Sequence, residues 1–344
     1  MHANDLPPID ETRLIRLFLN MCDINSPALG EGKLVAWTKS YLQVAGLEVH
    51  EDDAGAKLGG DGNNLIAWLR GNLPDAPKVF LSAHFDTVEP TAGLTYEERD
   101  GVFRSTSDTI LGADDHAGMA PAIEAVRALK ESGLPHGDIC LLLSVGEEIG
   151  LKGASVLDTK PLNLDFGFVL DTGPPVGSYV TRTATHDKLE ITVKGKPAHA
   201  GKDPEKGINA IQVVADAVHG MRMGRIGPET TANLGIISGG TGVNVVCPSV
   251  TIKAEARSTS VDELEAQVDH MIQKFEAAAR EHGATVEIVH ERHYHSYQIP
   301  EDSKVVRIGR AASRSLGLES ELRTTLGGSD ANVYNAHGLP CIVM

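Results

Sequence analysis

Apolar residues near the start of the chain recur at helical spacing. They predict a first helix over residues 11–22, with Asp10 placed as its N-cap. A second helix is predicted from about residue 31 to residue 45, where Gly46 follows as a stop signal. The chain therefore begins with two helices before any strand pattern appears.

Short continuous apolar runs follow and alternate with helix-like segments. We predict strands at residues 79–83, 139–145 and 166–170, and a helix over 117–130 between the first two. Such strands, separated by helices and apolar throughout, indicate a mostly parallel α/β sheet covered by helices on both faces.

From about residue 185 the strands instead alternate apolar and polar positions, which is typical of a sheet with one solvated face. The strands are predicted at residues 189–194, 250–257 and 284–290, and the helices at residues 207–221 and 261–282. With one further strand whose bounds are not assigned, we interpret the order as β-α-β-β-α-β, which indicates a small ferredoxin-like α+β sandwich.

After Pro300, a helix over residues 303–316 and an apolar run at 338–344 restore the first pattern. We therefore predict a discontinuous domain formed by residues 1–184 and 300–344, with a second domain, residues 185–299, inserted into it. An inserted domain of this kind is expected to act as a lid and to pair subunits.

Composition narrows the class of protein. The 344 residues carry 31 Lys and Arg against 47 Asp and Glu, a net charge of −16, which argues against nucleic-acid binding. No apolar run approaches the roughly 18 residues of a membrane span, and the first residues lack a signal-peptide pattern. The four cysteines are far apart and form no Cys-x-x-Cys pair, so a reduced, cytoplasmic protein is expected.

Acidic residues follow the predicted strands of the larger domain. His84 and Asp86 follow the first strand, Glu147 and Glu148 a later one, and Asp171 the last, while Asp114 and Asp115 stand where a helix begins. Ligands bind beyond the carboxyl ends of strands in such sheets. Because closely packed like charges repel, we expect one or two divalent metals here, most naturally zinc, with cobalt or manganese as alternatives.

Each of these motifs has an ordinary interpretation when taken alone. An isolated Glu-Glu pair is usually a solvated surface, and a Gly-Ala-Asp-Asp turn is usually a helix N-terminus. The conjunction favours a metal site, since four separate segments must place acids at one sheet edge.

These motifs resemble those of the dinuclear zinc peptidases that include peptidase T, carboxypeptidase G and aminoacylase, and most closely bacterial peptidase T-like tripeptide aminopeptidases. The resemblance runs from the N-terminal helices to Met344. The segments that carry it are Ser82-Ala83-His84-Phe85-Asp86-Thr87-Val88, Leu111-Gly112-Ala113-Asp114-Asp115, Gly146-Glu147-Glu148 and Val169-Leu170-Asp171.

The resemblance implies that Asp114 bridges two metals, that His84 and Asp171 complete one site and that Glu148 serves the other. Glu147 is then the general base, while the two metals, about 3.5–4 Å apart, activate a shared water and polarise the scissile carbonyl. Asp86 is expected to accept the far imidazole N–H of His84 and fix its tautomer.

The resemblance also implies a cis peptide between Asp114 and Asp115, and it reveals two departures. His116 stands where relatives carry Lys, which we expect to be tolerated. The remaining ligand of the second site, a His in a His-Thr segment beyond the last strand, is not found before Met344, and His337 belongs to a helix-to-strand turn. Either the sequence is clipped or one metal site is defective. Clipping is favoured, because a stop at Met344 would leave an unfinished sheet edge.

Further residues match family positions that contact substrate. His199, in Pro197-Ala198-His199-Ala200-Gly201, resembles a residue that helps hold the oxyanion. Asn244 and Arg257 match positions that grip the substrate backbone or carboxylate, and an Arg fork suits a terminal carboxylate. Ser329 and Asp330 resemble a loop near the active site.

His290, His293 and His295 invite the hypothesis of a separate metal site. His293 and His295 share one strand face, but no acidic residues are expected to cluster with them. A hinge or a sheet surface is the favoured interpretation.

The expected function is a metal-dependent exopeptidase that removes the N-terminal residue of short peptides such as tripeptides. Two alternatives use the same chemistry: a carboxypeptidase and an N-acyl amino acid deacylase. A third is a catalytically impaired, metal-holding peptide-binding protein. We expect a homodimer formed through the inserted domain, in which His199 acts across the interface.

Overall fold

The computed structural model describes residues 7–344, and the elements below are those of this range. The helices are α1 (Glu11–Cys22), α2 (Gly32–Val44), α3 (Ala54–Leu58), α4 (Ala113–Ser132), α5 (Lys152–Val156), α6 (Ala210–Val218), α7 (Val261–His282), α8 (Lys304–Ser315) and α9 (Asp330–Ala336). The strands are β1 (Glu48–Glu51), β2 (Leu65–Leu69), β3 (Val79–His84), β4 (Tyr96–Arg99), β5 (Val102–Ser105), β6 (Ile139–Ser144), β7 (Phe166–Val169), β8 (Ser178–Arg182), β9 (Thr185–Lys194), β10 (Gly224–Gly227), β11 (Thr230–Gly239), β12 (Ser249–Ser258), β13 (Thr285–Tyr294), β14 (Glu321–Thr324) and β15 (Cys341–Val343).

Contacts divide the chain into two compact units. The large unit comprises residues 7–181, 297–324 and 329–344, and the small unit comprises residues 182–296 and 325–328. The junctions near 181 and 296 lie three residues before the bounds expected from the sequence, and the short segment 325–328 was not expected in the small unit. The catalytic and lid roles assigned to these domains stay predictions.

The large unit is built on an eight-stranded sheet in the order β1-β2-β6-β3-β7-β15-β8-β14. Its four central strands, β6, β3, β7 and β15, run parallel, while β2 joins β6 and β8 joins β15 in antiparallel pairs. In the register, His84 pairs with Ser144 and Ser82 with Val169, so these three strands end at one sheet edge. The predicted α/β fold is confirmed.

Helix α1 begins as its sequence predicts, because an Asp10 side-chain oxygen accepts a hydrogen bond from the Arg13 N–H at 2.9 Å. The helix packs on α4 through buried apolar side chains that include Leu17 and Met21. Arg13 also donates from Nε to Glu124 Oε2 at 2.6 Å, and the Glu124 side chain is buried. A paired buried carboxylate of this kind fixes how the two helices meet.

Helix α4 starts before the predicted residue 117, but Asp114 and Asp115 have non-helical backbone angles and the peptide bond between them is cis, as predicted. The helix then runs very close to the end of β7. A Cβ added to Gly118 would lie 1.9 Å from the carbonyl oxygen of Leu170. Only glycine therefore allows this approach, which brings the start of α4 to the edge where β3, β6 and β7 end.

The small unit is a five-stranded antiparallel sheet in the order β10-β11-β12-β9-β13. Helices α6 and α7 cover one face, where Ile191, Val213 and Phe275 belong to a separate apolar core. The arrangement confirms the expected ferredoxin-like sandwich, to which the unpredicted strand β10 adds a hairpin with β11. Among residues 7–344, no helix is long and apolar enough to cross a membrane.

Candidate metal centre

The carboxyl edge of the large sheet gathers the four metal ligands and the general base expected from the sequence. His84 is the last residue of β3, Asp171 follows β7, Glu147 and Glu148 follow β6, and Asp114 lies in the first turn of α4. Two sets of ligand atoms each fall within 4.8 Å of one another: His84 with Asp114 and Asp171, and His84 with Glu147 and Glu148. The structure thus brings all five residues together, with His84 rather than Asp114 common to both sets.

His84 is held in one tautomer by the backbone. Its Nδ1 lies 2.8 Å from the carbonyl oxygen of Asp86. Because a carbonyl can only accept, Nδ1 carries the proton, and in the neutral ring the lone pair of Nε2 is left to bind a metal. Nε2 lies 3.4 Å from Asp114 Oδ1, on the side where the acidic residues gather.

The Asp86 carboxylate has further partners besides the one expected for it. Its nearer oxygen lies 3.5 Å from His84 Nδ1, and the backbone carbonyl oxygen of Asp86 makes a shorter contact, 2.8 Å, to the same nitrogen. The carboxylate also holds the loop after β6: Oδ1 accepts from the Glu147 N–H and Oδ2 from the Glu148 N–H, both at 2.9 Å. A buried carboxylate is satisfied best by such amide donors, so the loop takes both of its oxygens.

The acids of this centre have strongly shifted pKa values. Burial, reinforced by nearby carboxylates, raises the pKa of Glu147 to about 10 and that of Asp171 to about 8. Burial also raises the pKa of Glu148. Asp114 is solvent-exposed, and its hydrogen bond to His84 lowers its pKa. The protein itself does not compensate the negative charge of these acids, and a bound cation would neutralise it. The imidazole and carboxylate donors of this centre therefore fit divalent metals.

The pKa of His84 is shifted by the same acidic residues. Burial alone would lower its pKa, but the carboxylates of Asp114 and Asp86 hold it well above the usual value. A metal and a proton compete for the same imidazole nitrogen, so metal binding here releases protons.

Asp115 is a site residue to which the sequence assigned no role. Its side chain is buried, and Oδ2 accepts a hydrogen bond from the His84 N–H at 3.2 Å. Burial raises the pKa of Asp115 well above the ordinary value. Asp115 thus holds the backbone of His84 through this hydrogen bond.

His116, which departs from the family pattern, is buried and lies beneath the centre. Its Nε2 is 3.3 Å from the carbonyl oxygen of Phe85. Burial lowers the pKa of His116 to about 4, so this ring is neutral at physiological pH.

Two further residues missed from the sequence are Glu31 and Asn64. Both are buried, and both accept hydrogen bonds from the loop after β6, Glu31 from Gly146 at 2.8 Å and Asn64 from Val145 at 3.0 Å. The available signal was an acid at the predicted start of α2, where Glu is ordinarily a solvated partner of the helix dipole.

Ser329 and Asp330, expected near substrate, are buried in the large unit. Asp330 is 2 % exposed and accepts a short hydrogen bond from Ser144 Oγ, while the Ser329 N–H donates to Asn332 Oδ1 at 3.2 Å. Burial raises the pKa of Asp330 to about 6. Asp330 lies near the metal centre, where burial together with its charge raises the pKa values of Glu147 and Asp171, and a substrate-binding role for Ser329 and Asp330 stays a prediction.

The other expected substrate residues belong to the small unit. His199 is exposed, and its Nδ1 accepts from the Gly201 N–H at 3.1 Å. The Ala200 N–H in the same turn donates to the Asn244 carbonyl oxygen at 3.0 Å, so His199 lies near Asn244. Arg257 is half-buried and donates to Glu255 Oε2 at 3.0 Å and to the Leu326 carbonyl at 3.2 Å.

One of the three histidines considered for a separate metal site, His290, has an acidic partner. His290 Nε2 lies 2.8 Å from Asp187 Oδ2, and Arg292 binds both oxygens of the same buried carboxylate. Asp187 is therefore already compensated by cationic donors.

Two family models match the chain. One, described as a peptidase dimerisation domain of the M20 type, matches residues 184–285. The other, described as M42 glutamyl aminopeptidase, matches residues 100–197.

Similar proteins cover nearly the whole chain. An uncharacterised protein of Bacillus subtilis, YqjE, is 39 % identical over 334 residues, which are 97 % of this chain and 90 % of the relative. The crystal structure of a tripeptidase from Staphylococcus aureus has 36 % identity and a TM-score of 0.92, and that of aminopeptidase PepT from Bacillus cereus has 38 % identity and a TM-score of 0.86. Each alignment covers 98 % of this chain and 90 % of the other.

Proposed function

This chain belongs to the peptidase T-like M20 family of metal-dependent exopeptidases, and from that premise we propose that it removes the N-terminal residue of short peptides, with tripeptides as its substrates. The support for the proposed substrate is the likeness, at 36 % and 38 % identity over 98 % of the chain, to proteins named tripeptidase and aminopeptidase. Carboxypeptidase and deacylase activities use the same chemistry and are distinguished by the experiment below.

The observation that carries the proposal is that His84, Asp114, Asp171, Glu147 and Glu148 fall into two overlapping sets of ligand atoms. Because His84 offers a metal only its Nε2, it is assigned to one ion. We assign His84 and Asp171 to one divalent ion, Glu148 to a second, and Asp114 between the two. Zinc is the proposed metal, with cobalt or manganese as alternatives, because imidazole and carboxylate ligands suit these ions. When bound, such ions activate a water and polarise the scissile carbonyl.

Glu147 is the proposed general base. Its carboxylate would take a proton from the attacking water and later deliver it to the nitrogen of the leaving amine. The residue is not needed as a ligand, because Glu148 fills that role, and its buried position excludes bulk water. Its pKa of about 10 reflects burial among acids, and neighbouring cations would lower that pKa and favour the ionised base.

The remaining residues are assigned from their chemistry. His199 is proposed to donate to the developing oxyanion, and Asn244 and Arg257 to bind the backbone or the terminal carboxylate of the peptide. Asp86 is proposed to act by holding the amides of Glu147 and Glu148, not by contacting the reacting atoms. The active form is proposed to be a homodimer assembled through the small unit, with His199 acting across the interface.

A panel of alanine peptides tests the reaction. We expect trialanine to release free alanine, N-acetyl-trialanine to be resistant, and trialanine amide to be cleaved, because the enzyme reads a free N-terminus. Cleavage of the acetylated peptide with rejection of the amide would establish a carboxypeptidase instead. Release of acetate from N-acetyl-alanine would establish a deacylase, and the absence of any turnover with tightly held metal would establish a binding protein.

Matched variants test the roles of the two adjacent acids. Glu147→Gln should abolish turnover and retain the full metal content, whereas Glu148→Gln should lose one metal equivalent. Glu319→Gln makes the same chemical change at an exposed position and serves as the control. If Glu147→Gln keeps more than a few per cent of the activity, Glu147 is not the base.

A further inference from the structure

The loop that carries Glu147 and Glu148 is held by side chains from distant parts of the large unit. Four successive backbone N–H groups each donate to a side-chain oxygen. The pairs are Val145 to Asn64 Oδ1 at 3.0 Å, Gly146 to Glu31 Oε1 at 2.8 Å, Glu147 to Asp86 Oδ1 at 2.9 Å and Glu148 to Asp86 Oδ2 at 2.9 Å. We refer to these three acceptor side chains, Glu31, Asn64 and Asp86, as the amide clamp.

The loop needs such a clamp because its backbone leaves the strand abruptly. Gly146 has a φ of +63°, a left-handed conformation that ends the extended geometry of β6. From there on, no strand ladder fixes the path of the chain, and each amide must find another acceptor. The direction in which the next two side chains point therefore depends on where those acceptors lie.

Glu31 is the member of the amide clamp whose burial is least favourable in free energy. It is completely buried, and burial raises its pKa to about 7. Although it stands at the start of α2, its side chain makes no hydrogen bond that caps that helix. Burial of a carboxyl group is unfavourable, and a solvated Ser or Asp at this position would cap the helix equally well. The Oε1 of Glu31 accepts from the Gly146 amide, 115 positions away in sequence, while the backbone N–H groups of Leu29 and Glu31 also act on the carboxyl from nearby in the chain.

We infer that Glu31 is a positioning residue, which fixes the path of residues 145–148 so that Glu147 and Glu148 face the metal centre. This inference rests on the proposed function for the roles of Glu147 and Glu148. Without the Glu31 oxygen, the Gly146 N–H is left unpaired in a buried place, and the loop must shift to satisfy it. Displacements of about 1 Å at such groups cost on the order of 100-fold in rate.

The test compares Glu31→Ala with Glu31→Gln, which keeps an acceptor oxygen at the same reach. Loss of residues that orient ligands typically costs about 10–100-fold in activity or metal affinity. We expect Glu31→Ala to lower kcat on trialanine by that factor with KM changed less than about twofold, and to weaken Zn²⁺ binding at one site. Glu31→Gln should recover most of both properties.

Val35→Ala is the matched control, because Val35 is buried in the same helix, one turn from Glu31, and belongs to the apolar core. It should lower thermal stability as Glu31→Ala does, yet leave kcat and Zn²⁺ binding unchanged. If Val35→Ala at equal loss of stability reduces activity equally, Glu31 has only a structural role and the inference is overturned.

Hydrogen exchange gives a readout that needs neither metal nor substrate. In metal-free protein, Glu31→Ala should lose protection in the peptide that contains residues 145–148, and Val35→Ala should not. If Glu31→Ala fails to fold, Glu31→Asp withdraws the oxygen by one methylene and should show the same local loss more weakly. Unchanged exchange in that peptide overturns the inference. If exchange changes but no variant, including the wild type, cleaves peptides, the proposed function fails while the positioning role stands.

Discussion

Nδ1 of His84 lies 2.8 Å from the carbonyl oxygen of Asp86 and 3.5 Å from the carboxylate of the same residue. The imidazole is thus oriented by main chain, and a substitution of the Asp86 side chain leaves that contact in place. The carboxylate belongs to the amide clamp, where its two oxygens accept from the Glu147 and Glu148 amides. The main chain of Asp86 thus makes the shorter contact to His84, and its side chain holds the loop that carries the proposed base.

Asp86→Asn should therefore act through the loop and not through His84. The amide offers one acceptor and turns its NH2 group toward an N–H donor, so one loop amide loses its partner. We expect kcat to fall by about 10–100-fold, while the metal held by His84 and Asp171 remains. Kinetics together with metal analysis check this, and loss of both metals would contradict it by placing the carboxylate on the imidazole.

Removal of metal should make stability depend on pH in a defined direction. The folded-state pKa of Asp171 is about 8, above its ordinary value of 3.8, so the folded metal-free protein holds a proton that the unfolded chain releases. Its contribution to stability is complete below about pH 4 and is lost as pH rises through about 8. Urea unfolding in the presence of a chelator should show this decline, and Asp171→Asn should flatten it. A decline of equal size in Asp171→Asn would assign the effect to other groups.

Glu255 should orient Arg257. The Oε2 of Glu255 accepts from Arg257 Nη2 at 3.0 Å and lies 2.9 Å from His186 Nε2. The hydrogen bonds from His186 and Arg257 lower the pKa of Glu255 to about 2. If Arg257 binds the peptide carboxylate, Glu255→Gln should raise KM several-fold with a smaller change in kcat.

A substrate without the carboxylate is the control for this prediction. Trialanine amide should lose the KM effect of Glu255→Gln, because Arg257 has no carboxylate to bind. An equal effect on both peptides would show that the substitution disturbs the small unit generally.

Gly118→Ala should test the close approach of α4 to β7. The added Cβ would meet the Leu170 carbonyl at 1.9 Å, so backbone must move. Overpacking of this kind costs about 1–3 kcal/mol or more in the free energy of unfolding. Chemical denaturation measures the loss, and Gly133→Ala, whose Cβ would meet nothing within 4 Å, is a comparison at the other end of the same helix with a left-handed φ of +65°. Gly118 has no left-handed φ, so its loss is assigned to the contact with β7, and an unchanged free energy of unfolding in Gly118→Ala would contradict the close approach.

The match of a dimerisation domain to residues 184–285 supports the proposed homodimer. Sedimentation should give a particle of twice the chain mass of 36.6 kDa. A strict monomer with full peptidase activity would exclude any role for His199 across an interface.

Local pattern was enough to define many elements of this protein. Helix α7 spans the predicted residues 261–282, and α1 begins after the predicted Asp10 cap, because amphipathic spacing and capping act between residues a few positions apart. The acids at strand ends were found in the same way. Parallel strands bring their carboxyl ends to one edge whatever else the chain does, so the sequence placed His84, Glu147 and Glu148 together.

Tertiary structure decided which atoms of these residues are used. Glu31 reaches Gly146 across 115 positions, and the Asp86 carboxylate accepts from the loop amides while the Asp86 backbone carbonyl makes the shorter contact to His84. Segment 325–328 joins the small unit although its neighbours on both sides belong to the large one. A buried polar group takes whichever donor the fold brings within about 3 Å. That distance depends on how remote segments pack, which no short stretch of sequence encodes.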